Sequence, residues 1–374
     1  MKALSSMLLA LLSVAAQSAA AAAAPQSTLV IKTIPAIPLI EIGREQQLVN
    51  FDIVVENKSS RALHLERINV EAFDSAGSLI TRKTMENNGF PSAIETVPDR
   101  DAPAHGVLGV FNPFFAWPLR ADIARMRYTL TFSVKGQAGA ASASASVAPV
   151  VYHDRTALAF PLKGRVFVLD GHDFYSHHRR QDLTDPGLAS AGVSANPVRY
   201  SDDFVFVDAQ GAMYHGDPRQ KTNWFGYGQL VYAPAAGTVV AVVNDVGEAT
   251  WDGKHIHVPK DPQDASPFGL GNYVVIDHGD GEFSSLTHMV PHSIRVHRGD
   301  HVQQGELIGR LGTSDAGNPS YPVVPHLAYC LMRGADFTKS EGLPAYFESY
   351  TLLLGQQEIP VTNGPLDTGD IFKT

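Results

Sequence analysis

Two stretches in the first third of the chain alternate strictly. In Val49-Asn-Phe-Asp-Ile-Val-Val55 every odd position is apolar; in Tyr128-Thr-Leu-Thr-Phe-Ser-Val134 every even position is apolar, with hydroxyl side chains between. A period of two turns one face of a strand to a core and the other to water. Asp74-Ser-Ala-Gly77 and Asn87-Asn-Gly89 supply turns. Residues 25–149 are therefore expected to form an immunoglobulin-like β-sandwich. The small-residue run from Gly136 to Ser146 reads either as a flexible linker or as a last solvent-edge strand, with the boundary near residue 150. Further on, Tyr232-Ala-Pro-Ala-Ala-Gly-Thr-Val-Val240, Gly271-Asn-Tyr-Val-Val-Ile-Asp-His278, Ser285-Leu-Thr-His288, Gly305-Glu-Leu-Ile-Gly309 and Pro325-His-Leu-Ala-Tyr-Cys-Leu-Met332 are short apolar runs separated by Gly and Asp turns. Such spacing predicts an antiparallel sheet rather than βαβ units, so the whole chain is expected to be all-β.

The extreme N-terminus breaks this pattern. Residues 1–24 combine Lys2, an apolar core from Met7 to Ala16 and an alanine-rich tail. The apolar core is too short to span a bilayer, and the segment reads as a secretory signal peptide, with export to the periplasm or medium expected. No later run approaches the roughly 18 apolar residues a membrane helix requires. A net charge of -9 argues against a nucleic-acid partner, which needs a basic face. Cys330 is the single cysteine, so no disulfide forms within one chain.

Histidines divide the chain unevenly. His64 and His105 are the two in the first domain, and the other 13 lie beyond Val151. Phe167-Val-Leu-Asp170 leads into Gly-His-Asp-Phe-Tyr-Ser-His-His-Arg-Arg180, and Arg199-Tyr-Ser-Asp-Asp-Phe-Val205 follows about twenty residues later. These motifs, with the Val-Val-Ile-Asp strand before His288, the Gly-Asp-x-Val-x-x-Gly-Glu-x-Ile-Gly run from Gly299 and Pro325-His-Leu, resemble the lysostaphin/LytM-like zinc metallopeptidases, which cut peptides of bacterial peptidoglycan. The resemblance spans roughly residues 165–355 of a domain placed at 150–374, and fits a subgroup marked by His-His-Arg-Arg.

Carried over by position, the resemblance implies one zinc ion with His178 as first ligand, His177 being the rival, and Asp203 as second, Asp202 being the substitute. It implies that His288 and His326 are catalytic. Zinc peptidases need three protein ligands and an open position for water. The family takes the third from the second His of a His-x-His pair on a late strand, and Ala328 stands there. Cys330 is a candidate substitute on the same face, one strand pair further along; its alternative role is a small buried hydrophobe. Two functions remain open: a zinc endopeptidase of wall peptides, or an inactive homologue that binds the wall or activates a partner hydrolase. His278 is expected in a turn, His292, His297 and His301 at the surface, and Tyr321 and Tyr329 in the cleft or the core.

Overall fold

The computed structural model describes residues 28–134, 140–257, 267–314 and 324–374. The expected signal segment and Tyr321 lie outside the described residues, as does most of the loop between Trp251 and Pro267. Strands dominate. The helical elements among the described residues are three short turns, at Ala93–Thr96, Pro186–Ser190 and Lys221–Asn223.

The first domain pairs two five-stranded sheets. One is built on Leu29–Ile42, Gln46–Asn57 and Val107–Phe111, the other on Leu79–Glu86, Leu63–Phe73, Arg125–Val134 and Ala140–Val147. The described part of the small-residue run is thus an edge strand, Ala140–Val147, paired with Arg125–Val134. Both alternating segments deliver their apolar faces to one core: Val49, Phe51, Ile53 and Val55 from one sheet meet Tyr128, Leu130 and Phe132 from the other. The opposite face of Gln46–Asn57 departs from expectation. Asn50 and Asp52 are buried at 1% and 4% exposure rather than in water, because the second domain covers them.

A short parallel pairing of Val150–Val151 with Leu29–Ile42 ends the sandwich, and Tyr152 enters the second core, its ring stacked on Tyr346. The second domain is organised around an eleven-stranded sheet. Its centre runs Gly237–Val243, Tyr273–Asp277, Phe283–Leu286, Leu327–Met332, Asp202–Phe206 and Arg165–Asp170, each antiparallel to the next. Both faces are covered. Val274, Ile276, Leu327, Tyr329 and Leu331 enter the large core; Val275, Cys330 and Met332 enter a smaller one. Strict alternation along Leu327–Met332 therefore puts Tyr329 in the core and brings Ala328 to the opposite face.

Candidate metal centre and catalytic cleft

The strand Asp202–Phe206 sits between Arg165–Asp170 and Leu327–Met332 and carries two adjacent carboxylates. Successive side chains on a strand point to opposite faces, and the two acids accordingly part. Asp202 Oδ1 accepts from His172 Nδ1 at 3.1 Å, away from the cleft. Asp203 turns into a cavity of about 260 Å³ that is also lined by His177, His178, His288, His326, Ala328 and Cys330.

His178 comes from the loop after Arg165–Asp170. That loop folds back on itself: Ser176 Oγ donates to the Gly171 carbonyl, and His178 Nδ1 donates to the same oxygen at 3.1 Å. A ring whose Nδ1–H is committed to a carbonyl presents Nε2 as its basic nitrogen. His178 Nε2 lies 3.3 Å from Asp203 Oδ1. That oxygen is buried without a hydrogen bond. His326 Nε2 is 3.8 Å from it, while His326 Nδ1 donates to the Val324 carbonyl at 2.7 Å.

His288 follows the strand Phe283–Leu286 with a φ of 61°, a left-handed conformation that turns the chain at the cleft edge. Its Nδ1 donates to the Ser314 carbonyl at 3.1 Å, and its ring lies 4.4 Å, centroid to centroid, from that of His326. The backbone here is tightly packed. Gly271, at φ +57°, has no room for a side chain, since a Cβ would fall 1.4 Å from the Ser314 oxygen. The two histidines that the resemblance carries over as catalytic thus share one wall of the cleft.

Ala328 is the register partner of Asp203 across the ladder. Its methyl group offers no donor. Cys330 lines the same cavity, but its Sγ lies 3.1 Å from Ser201 Oγ, and burial pushes its thiol up to about 12 against the opposing Ser201 hydrogen bond.

Other candidate donors gather around Asp203. Asp170, His177, His178 and Asp203 each offer one ligand atom, and these atoms all lie within 4.8 Å of one another. His177 Nδ1 pairs with Asp170 Oδ2, and its ring stands 3.9 Å from that of His178. Both histidines that competed for the first position are therefore present. His178 is buried against Asp203, and His177 is exposed at the mouth. The electrostatics suit a cation. Burial opposes charge on His178, but Asp203 first and Asp170 after it outweigh burial and raise its pKa to about 9. Burial would likewise raise the Asp203 pKa, yet His178 and then His326 hold it well below the ordinary range. Two imidazoles and two carboxylates, one of them with a buried oxygen that has no hydrogen bond, fit zinc, which binds nitrogen and carboxylate oxygen in sets of three or four.

Asp170 is the member that sequence reasoning passed over. It closes the Phe167-Val-Leu-Asp strand seven residues before His177, a spacing without meaning until the loop folds back. His278, His292, His297 and His301 fall as expected: His278 bridges the Ala236 carbonyl and Ser284 Oγ beside a turn, and the other three are exposed.

Residues 224–339 match the model of peptidase family M23. That segment is therefore similar to a domain of the M23 peptidases, a family of zinc metallopeptidases. His288, His326 and Ala328 fall inside the matched segment; Asp170, His177, His178 and Asp203 precede it. Among solved structures, the chain is similar to the catalytic domain of a mutant of the prophage-encoded M23 protein EnpA from Enterococcus faecalis, at 20% identity over 36% of this chain and 68% of that one, with a TM-score of 0.22. It is also similar to lysostaphin from Staphylococcus simulans, at 17% identity over 49% and 76%, with a TM-score of 0.23. A third is the M23 metalloprotease pseudoalterin from the deep sea, at 13% identity over 60% and 92%, with a TM-score of 0.27. No curated protein matches the sequence. No helix among the described residues is long and apolar enough to cross a membrane.

Proposed function

We propose that this chain is an exported zinc endopeptidase acting on peptidoglycan peptides, with a ligand set that has moved within the site. The carrying observation is the convergence of Asp170 and His177 on His178 and Asp203, opposite the position where Ala328 supplies nothing. His178 and Asp203 would hold the metal together with one or both of Asp170 and His177. Bound there, zinc would polarise the scissile carbonyl and lower the pKa of a water towards about 7.

The chain's own groups serve the rest. His288 and His326 each commit Nδ1–H to a backbone carbonyl, which leaves Nε2 as the nitrogen of each ring that can exchange a proton. Placed on one cleft wall beside Asp203, they are suited to accept a proton from the attacking water, deliver it to the leaving amine, or steady the oxyanion. The imidazoles and the carboxylate share the cavity with Val198, Phe268 and Leu270, so it offers a substrate both polar and apolar contacts.

Elemental analysis of the purified protein, coupled to hydrolysis of isolated wall peptides, tests this reading. Near-stoichiometric zinc that is lost in Asp203→Ala, with hydrolysis lost in parallel, is expected. Ala328 favours a second reading, an inactive homologue that binds the wall or a partner hydrolase. Retention on wall preparations with neither zinc nor hydrolysis would establish that one instead.

A further inference from the structure

The His-His-Arg-Arg segment points its neighbouring side chains in opposite directions. His178 turns into the cleft; Arg179, fully buried, turns into the first domain. There its guanidinium spans three acceptors of one strand: Nε donates to Asn50 Oδ1 at 3.2 Å, Nη1 to Asp52 Oδ1 at 2.8 Å, and Nη2 to the Phe51 carbonyl at 2.7 Å. A planar fork engaged at three points fixes its own angle as well as its position.

Asp52 also reaches the second arm of the centre. Its other oxygen accepts from Arg199 Nη2 at 2.9 Å, and Arg199, fully buried and four residues ahead of Asp203, is held at Nε by Glu341. Asn196 ties the arms together, because its Nδ2 donates to the His178 carbonyl at 2.9 Å. A parallel relay lies alongside: Glu41 of the sandwich meets His172 Nε2 at 3.0 Å, and His172 Nδ1 meets Asp202, the neighbour of Asp203. Every one of these links is buried, so solvent does not loosen them.

We propose that Asp52, from the N-terminal sandwich, is a positioning residue for the metal centre, setting His178 through Arg179 and Asp203 through Arg199. The first domain is then part of the site's construction rather than a separate module. The polar face of Gln46–Asn57 is where the two domains become one chemical unit. This inference rests on the zinc reading above. Its role is indirect, since Asp52 faces the two arginines and not the cleft.

The test uses the whole chain. Zn²⁺ affinity is measured by competition with a chromophoric chelator, and the Co²⁺ form is examined by its visible absorption, which reports ligand geometry independently of activity. Asp52→Asn keeps the shape of the side chain and is expected to weaken Zn²⁺ binding by about 10–100-fold, the usual cost of disturbing a group that orients a ligand, and to shift the Co²⁺ bands. Asp52→Glu, which restores the charge, should recover part of the loss. Glu71→Gln, which breaks two ion pairs on the other sheet of the sandwich, should leave affinity within about twofold and the Co²⁺ bands unmoved. If Asp52→Asn does not fold, Arg179→Lys keeps the charge without the fork and is read in the same way. Wild-type affinity and an unshifted Co²⁺ spectrum in a folded Asp52→Asn protein would overturn the proposal while leaving the zinc reading standing. Failure of the wild-type protein to take up either metal would overturn both.

Discussion

Ala328 and Asp203 face each other as Cα partners of one antiparallel ladder, and both line the same cavity. Directly opposed residues on paired strands bring their Cβ atoms to about 4.5–5.5 Å, which is within reach of one metal ion for an imidazole and a carboxylate. An alanine there contributes no donor to the cavity.

Restoring a donor there should strengthen the site. Ala328→His is expected to raise zinc affinity by about tenfold or more, measurable by chelator competition. An unchanged affinity with unmoved Co²⁺ bands would mean that the added ring does not reach the metal.

Removing the displaced donors should do the opposite. Asp170→Asn and His177→Ala are each expected to weaken zinc binding by about 10–100-fold in the wild-type background. The loss should shrink when Ala328→His is present, because two donors then compete for one role. Equal losses in both backgrounds would show that Asp170 and His177 act independently of the vacated position.

Cys330 should be a bystander. Burial, its largest influence, holds the thiol neutral up to about 12, so at about pH 8 alkylation of the folded protein should be at least about 100-fold slower than in denaturant. The stability linked to this group is fully present below the unfolded value of about 8.5 and is lost as pH rises towards 12. Cys330→Ala should leave zinc affinity within about twofold; a larger loss would place sulfur on the metal.

The relay through His172 predicts a pH-dependent stability. Burial opposes the charge on His172, but Glu41 and Asp202 outweigh it and hold its pKa well above the ordinary 6.5. A raised folded pKa stabilises fully below the unfolded value of about 6.5, and the contribution disappears as pH climbs through the folded one. Urea unfolding of wild type and His172→Gln across this range should show a difference that is largest near about pH 6 and narrows in alkali. A difference that does not vary with pH would mean that His172 is neutral in the fold.

Much of the architecture is local information. The period-two pattern of Val49–Val55 and Tyr128–Val134 states which face meets a core, because pleating alternates side chains whatever the strand pairs with. The same alternation placed Ala328 and Cys330 on one face and Tyr329 on the other. His178, Asp203, His288 and His326 were legible through ordered motifs, and the structure gathers all four around one cavity.

Other features depend on segments far apart in the chain. Asp170 enters the metal group because a loop folds back to put His177 beside it. Asn50 and Asp52 carry the sequence signature of a solvent-facing edge, yet they are buried, because two arginines more than 120 residues away fill that face. Alternation tells a strand which side is polar; whether that side meets water or a guanidinium is settled only when a second domain arrives. The sequence by itself determined the alternating strands, the family resemblance of the second domain and the alanine at position 328. The tertiary structure decided which candidate donors surround that alanine and tied them to the sandwich, since burial and charge pairing are properties of the assembled surfaces and not of any segment alone.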